Sequence, residues 1–508
     1  MTAAAATAGE ETAAAGSAAA GAAAPAAPAA AGAAATAAAG AAGAAAGAAA
    51  GARTASADGQ VRRPVPPLGP VPRPKQPASA ERTLASGLRV IAIRRTGVPL
   101  VEVRLRVPLG GKAPSLPARA LLLGETMLAG TDRRGQVEIA AALQALGGDL
   151  HVSVDADRLL AGGAVLRTGL TGLLGLLAEV LGAATYPSRE VAGERARLTE
   201  RLSIARSQPA VLVREALRER MFGRHPYARE LPSVEDVAAV TPGQLRRLHA
   251  DRLVPDGSLL VLVGDISLAR ALDAVESALG GWAAEGTARS VPPVPALTPG
   301  PTVLVDRPGS VQSSIRLGGE ALQRDHPDYP ALQLANLVFG GYFSSRLVEN
   351  IREDKGYTYG PHSRIDHGAA GSSLVVDADV ATEVTAPALL EVWYELGRMA
   401  TLPVTETELS DVRQYAVGTL AMSVATQAGL ASTLVALAGV GSGLGLDWLR
   451  DHPRRLAEVT RDEVFVAARR HLAPSRLVTV ILGDAATVAE PLRALSPLQL
   501  GIDPPGQG

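Results

Sequence analysis

One segment of the chain is written twice. Val240-Thr241 opens a stretch that closes on Gly264-Asp265, and Val459-Thr460 opens another that closes on Gly483-Asp484, 219 positions further on and without a gap. Leu253 matches Leu472, Pro255 matches Pro474, and the apolar run Leu259 to Val263 matches Val478 to Leu482. Each copy begins with a capping-box pattern, Thr241-x-x-Gln244 and Thr460-x-x-Glu463, which predicts a helix start. Each continues through a proline to a β-rich run ending on Gly-Asp, which predicts a strand. Solenoid repeats recur every ~20–50 residues, so this spacing points instead to duplication of a whole domain of roughly 200 residues.

The rest of the chain divides around that duplication. Residues 1–78 are an Ala/Gly/Pro-rich tail and linker, expected to be disordered. The first domain is expected over 79–285, a Pro-rich connector over 286–300, the second domain over 301–497, and a tail over 498–508. Leu88–Ile93, Leu100–Val107, Leu159–Leu166 and Leu374–Val380 read as strands, with Arg104 and Arg106 on one face. Helical periodicity runs through Val137–Leu146, Leu170–Ala184, Ala192–Arg206, Pro330–Val338 and Pro387–Met399. Strands in clusters followed by helices predict an α+β fold of two homologous α/β-sandwich domains.

Composition removes several function classes. With 49 Lys+Arg against 50 Asp+Glu there is no bulk attraction to nucleic acid or to an anionic membrane. The absence of cysteine excludes disulfides, thiolate metal sites and a cysteine nucleophile. The N-terminal tract lacks the basic start and Leu-rich run of a signal peptide, so a cytoplasmic location is the expectation. The charge-free span between Arg413 and Asp447 is long enough to cross a bilayer, yet its Gln, Ser, Thr and Gly content predicts a buried helix ending in a turn at Gly441-Ser442-Gly443. None of the eight histidines forms an i, i+4 pair on a helix, and His362 and His367, five apart, would fall on opposite faces of one strand.

Two runs carry a family resemblance. Tyr342-Phe343-Ser344-Ser345-Arg346-Leu347 followed by Ile351-Arg352-Glu353-Asp354-Lys355-Gly356-Tyr357-Thr358-Tyr359 resembles the second-half signature of the M16 (insulinase/pitrilysin-like) zinc peptidases. Gly340-Gly341, Gly309-Ser310-Val311-Gln312-Ser313, His225-Pro226-Tyr227 and Val254-Pro255-Asp256 are similar landmarks in family order. The resemblance implies an M16-like clamshell half built from two domains. Family members place His-x-x-Glu-His on a helix of the first domain, where two imidazoles bind zinc and the acid activates water. Here the corresponding stretch is Ala120 to Thr131; aligned on its closing Gly-Thr, Leu121 and Glu125 stand at the histidine places and Gly124 at the acid, while a one-residue shift brings Glu125 onto the acid but supplies no histidine. Glu200 lies near the place of the third ligand and reads as a solvated helix charge.

What the resemblance leaves intact is Arg352 and Tyr359. They match an arginine that fixes a substrate carbonyl and a tyrosine whose hydroxyl donates to the oxyanion of the tetrahedral intermediate. Some bacterial members are split, one subunit supplying the zinc motif and the other this pair. The resemblance therefore implies a heterodimer with a His-x-x-Glu-His partner, no cofactor on this chain, Zn²⁺ on the partner, and a peptide or unfolded protein as substrate. Gly147 to Val154 sits where the family has an edge strand that pairs with peptide, though its side chains depart from the usual Asn-Ala-x-Thr. A catalytically inactive scaffold or peptide-binding subunit of a larger assembly is the alternative.

Overall fold

The structure is a computed structural model that describes residues 76–283, 286–439 and 444–501. Residues 1–75 of the tail expected over 1–78 and the turn at Gly441-Ser442-Gly443 lie outside the described residues.

The first half supplies strands β1 (Ser79–Thr83), β2 (Arg89–Arg94), β3 (Leu100–Pro108), β4 (His151–Val154), β5 (Arg158–Leu166) and β6 (Leu259–Gly264), ordered β1-β2-β6-β3-β5-β4 in one sheet. Its helices are α1 (Leu116–Thr126), α2 (Gln136–Ala145), α3 (Leu170–Ala183), α4 (Ser188–Arg206), α5 (Pro209–Phe222), α6 (Val234–Ala238), α7 (Pro242–Arg252) and α8 (Leu268–Leu279). The second half supplies β7 (Thr302–Asp306), β8 (Gln312–Ala321), β9 (His362–His367), β10 (Ser372–Ala381), β11 (Leu477–Gly483) and β12 (Leu498–Leu500), ordered β12-β7-β11-β8-β10-β9. Its helices are α9 (Tyr329–Asn336), α10 (Thr385–Thr401), α11 (Glu406–Ser423), α12 (Gln427–Ala438), α13 (Leu446–Glu458), α14 (Arg461–His471) and α15 (Ala485–Leu495). The fold is α+β, and β7, β11, β8, β10 and β9 take the places of β2, β6, β3, β5 and β4.

The duplicated segment occupies equivalent positions. Thr241 and Thr460 each accept the N3 backbone N–H while their own backbone N–H groups donate to Gln244 Oε1 at 2.8 Å and Glu463 Oε2 at 2.7 Å, so both capping boxes form. Each helix then leads to an inner strand, β6 or β11, that is buried along its whole length. Such strands are paired parallel on one side and covered on both faces, so their sequence is continuously apolar rather than alternating. A second signature was not legible as a repeat. Arg104 on β3 donates to Val103 O at 2.9 Å and Gly163 O at 2.8 Å, and Arg316 on β8 donates to Ile315 O at 2.9 Å and Ala378 O at 3.2 Å.

Strand alternation divides each sheet between two layers. Val90, Val103, Leu105, Leu260 and Leu262 face the first half's own helices, including α1, α3, α7 and α8. Ile91, Ile93, Leu259, Val261 and Val263 face the other way, onto Leu430, Ala431, Leu434 and Val435 of α12, which belongs to the second half. The exchange is mutual. Val213, Leu217, Met221 and Phe222 of α5, from the first half, pack on Val305, Val375, Val478, Val480 and Leu482 of the second sheet. Glu102, Arg104 and Arg106 share the face under α12, which confirms the common face expected of the two arginines.

Three details differ from the sequence reading. The charge-free span does not form one helix: α11 and α12 are separate and bent by 109°, with Thr426 capping α12 through its hydroxyl. α12 is largely buried, whereas α11 buries Leu409, Val412 and Ala416 but leaves Met422 at its end 63% exposed. Among the described residues no single helix is long and apolar enough to cross a membrane. The start of the tail, Leu498 to Leu500, adds as edge strand β12, parallel to β7. Edge strand β1 (SAERT) is largely polar and paired on one side only, so it lacks an apolar signal.

Candidate functional site

At the place where the family holds zinc, helix α1 lies against α4 and against edge strand β4. A Cβ at Gly124 would come within 2.8 Å of Val154 Cγ2, so a side chain at the position of the family's acid would press on the strand. Glu125 projects toward α4 and meets the Arg201 guanidinium at 3.1 Å, and the same guanidinium reaches Glu194 at 3.2 Å. Arg197, one turn along, holds Glu194 from the other side. Burial pushes the Glu125 carboxyl up, and Arg201 pulls it back. Glu200 is exposed on the far side of α4, as a solvated charge would be.

These residues do not fit a zinc ion. Leu121 offers no donor, and a permanently charged guanidinium already bridges the two carboxylates that come together. Among the described residues there is no group of three or more His, Asp or Glu side chains placed to hold a metal. The histidines are spent elsewhere. His225 Nε2 donates to Pro292 O at 2.7 Å while its Nδ1 accepts from Tyr227 N. His362 and His367 both lie on β9 and point to opposite faces, the first beside Asp377 at 3.2 Å and the second against the Tyr329 hydroxyl at 3.1 Å. His-Pro-Tyr is a clasp between halves: Tyr227 Oη donates to Asp157 at 2.6 Å, and the backbone N–H groups of Ala369 and Ala370 donate to Asp157 and to Tyr227 Oη.

In the second half the signature segment winds unusually. A π-helical turn, Leu337–Gly341, is followed by Tyr342 in extended conformation, a short turn at Arg346–Val348, and a second π-helical turn at Glu349–Asp354. π-type turns recur at functional sites because the wide turn re-aims side chains. The segment is anchored by buried Ile351 and by Arg346, whose fork donates to Glu408 at 2.6 and 2.9 Å. Burial alone would raise the Glu408 carboxyl, but the Arg346 and Thr405 hydrogen bonds together outweigh it and hold it at about 2. Gly356, at φ +64°, then reverses the chain toward the sheet.

Tyr359 leaves the sheet through a bulge. Thr358 bridges to Val380 and His362 pairs with Asp377, so Tyr359-Gly360-Pro361 oppose only Ala378 and Asp379. The extra residue breaks the ladder and turns the tyrosine outward, to 92% exposure. Arg352 lies beside it, with its guanidinium carbon 5.7 Å from the Tyr359 ring centroid and 4.6 Å from that of Phe343. The structure thus brings Arg352 and Tyr359 together on one open surface. Arg352 also touches Glu353 at 3.3 Å, a surface ion pair of little energetic weight. Sequence reasoning missed Arg201 and Phe343. Arg201 had a signal, being two turns from Glu194 on the face that meets α1; Phe343 had none beyond its place in the motif.

In the first half the expected edge strand is indeed β4, paired only with β5. Asp149 and Asp155 donate their backbone N–H inward to β5, so by antiparallel alternation the main-chain groups of Val152 and Val154 point to the free edge.

Tandem α/β sandwiches that exchange covering helices, with Arg201 at the metal position of the first and Arg352 beside Tyr359 in the second, define a peptidase-type fold. The family model described as insulinase (peptidase family M16) matches residues 99–233, and the one described as the peptidase M16 inactive domain matches residues 239–415; the chain belongs to the M16 peptidase family. An uncharacterized zinc protease of Mycobacterium bovis is 25% identical over 421 residues, covering 81% of this chain and 95% of its own length. One from Mycobacterium leprae is 26% identical over 302 residues, covering 58% of this chain and 68% of its own. The crystal structure of a peptidase M16 inactive domain from Pseudomonas fluorescens superposes with a TM-score of 0.73 at 25% identity, over 80% of this chain and 98% of that one.

Proposed function

We propose that this chain is the subunit without a zinc motif in a two-chain M16 peptidase acting on peptides or unfolded proteins. Its partner carries His-x-x-Glu-His and the Zn²⁺, and this chain lends Arg352 and Tyr359 to the partner's site. The observation that carries the reading is the contrast between the two halves. The first half's own metal position is filled by the Arg201 guanidinium, while Tyr359 is pushed by a bulge to 92% exposure with its hydroxyl free for a partner. A phenol donates to an oxyanion, and a guanidinium fork holds a substrate carbonyl without changing its charge. The free edge at Val152 and Val154 offers a main-chain ladder to an extended peptide.

The test is reconstitution. The purified chain alone should show no chelator-sensitive cleavage of an unfolded substrate such as casein, and mixing with a His-x-x-Glu-His relative should produce it. Tyr359→Phe should then lower kcat by about 10²-fold, the scale for one oxyanion donor. Cleavage by the isolated chain that a chelator abolishes overturns the reading.

A further inference from the structure

The geometry points to Phe343 as a positioning residue for Arg352: its ring is the platform that holds the guanidinium beside Tyr359. This rests on the function proposed above and deepens it. Tyr342 is extended, at φ −146° and ψ 170°, so neighbouring side chains take opposite sides of the chain. Tyr342 turns inward and packs its ring 5.4 Å from Tyr415, and Phe343 turns outward, 53% exposed. A half-bare phenylalanine gains little by burial, so packing does not explain its place.

What lies over that ring is the Arg352 guanidinium, its central carbon 4.6 Å from the centroid, nearer than the 5.7 Å to Tyr359. A cation over an aromatic face is attracted by the ring quadrupole, and the attraction grows when water is excluded, as a bound peptide would do. The other partner is Glu353, which meets the Nε edge of the guanidinium at 3.3 Å and is more than half exposed. That exposed pair is worth little and does not by itself fix the guanidinium. The ring and Glu353 thus hold the same guanidinium at once, and the ring is the contact that fixes its plane beside Tyr359. Phe343 needs no contact with the scissile bond to do this.

Two measurements test it. In the full chain, with arginine side chains observed by NMR and Arg352 assigned through Arg352→Lys, the Arg352 Nε–H proton should be displaced by the ring current. Phe343→Leu should abolish the displacement and Phe343→Tyr should keep it; an undisplaced proton in the unsubstituted chain overturns the assignment. In the reconstituted two-chain peptidase, Phe343→Leu, which keeps apolar bulk without the π face, should lower kcat/KM by about five- to thirty-fold. Phe343→Tyr should restore it. Full activity in Phe343→Leu beside a crippled Arg352→Ala overturns the positioning role and leaves the proposed function standing. Full activity in Arg352→Ala overturns both.

Discussion

Arg201 ties α1 to α4 where family members use a metal, and it does so with side chains only partly withdrawn from water: Glu125 is 24% exposed, Glu194 14% and Arg201 41%. Removing the cation leaves two carboxylates facing one another, one of them already pushed up by burial. Arg201→Met should therefore destabilise the fold by about 1–2 kcal/mol, less than the cost of orphaning a fully buried charge because solvent screens the site. Adding Glu125→Gln should recover part of that loss, since the remaining carboxylate no longer has a like neighbour. Urea midpoints of the three proteins decide it, and an unmoved midpoint in Arg201→Met would show that the bridge contributes nothing. At this scale the sequence disclosed which residues were missing from the metal motif. It could not disclose what fills the space, because that depends on the rotation of α4: Glu200, near the expected ligand place, turns to solvent, and Glu194 and Arg201 turn inward.

Elements were legible where burial is periodic and obscure where it is not. The capping boxes announced α7 and α14, and the strands β2, β3, β5 and β10 lie within a residue or two of their expected bounds, because each alternates or runs apolar against a packed layer. The bulge at Tyr359 left no such trace, since it is set by pairing across β10 rather than by local pattern, and the two π-helical turns, packed against β9 and neighbouring helices, left none either. The packing of α9 against both β9 and α13 has a consequence for pH. His367 on β9 hydrogen-bonds the Tyr329 hydroxyl and Ser372, and His452 on α13 stacks on Trp448 at 4.0 Å and meets Gln333 at 2.7 Å. Burial, reinforced by Arg324, lowers both imidazoles to about 3. Between pH 6.5 and about 3 the unfolded chain binds these protons and the folded chain does not, so stability falls as pH drops through that window and is level above it. The slope should approach about 1.4 kcal/mol per pH unit for each histidine. Urea unfolding at pH 7 and pH 5 should show the loss, and His367→Gln with His452→Gln should be weaker at pH 7 but much flatter between the two. An unchanged slope in the double variant would remove these histidines from the account.

Over the whole molecule, neither half owns a complete core. The sheet of the first half needs α12 from the second to cover Ile91, Ile93, Val261 and Val263, and the sheet of the second needs α5 from the first to cover Val478, Val480 and Leu482. Tyr227 and Asp157 add a polar clasp to the backbone of Ala369 and Ala370. The duplication makes two autonomous domains a natural expectation, but the exchange of helices overrides it: the inner strands β6 and β11 are apolar on both faces, and one face of each sheet is covered across the pseudo-repeat. A chain cut in the connector should show this directly. Residues 76–285 expressed alone would expose a contiguous apolar sheet face of the kind that drives association, and should aggregate or bind a hydrophobic dye strongly. The same holds for residues 286–501, whose sheet loses α5. Coexpressed, the two fragments should recombine into one soluble particle that unfolds in a single transition, because the interlock needs no covalent connector. If either fragment alone is monomeric, dye-silent and cooperative in urea, the exchanged helices are ornaments on self-sufficient domains, and the covering of each sheet by the opposite half does not hold the molecule together.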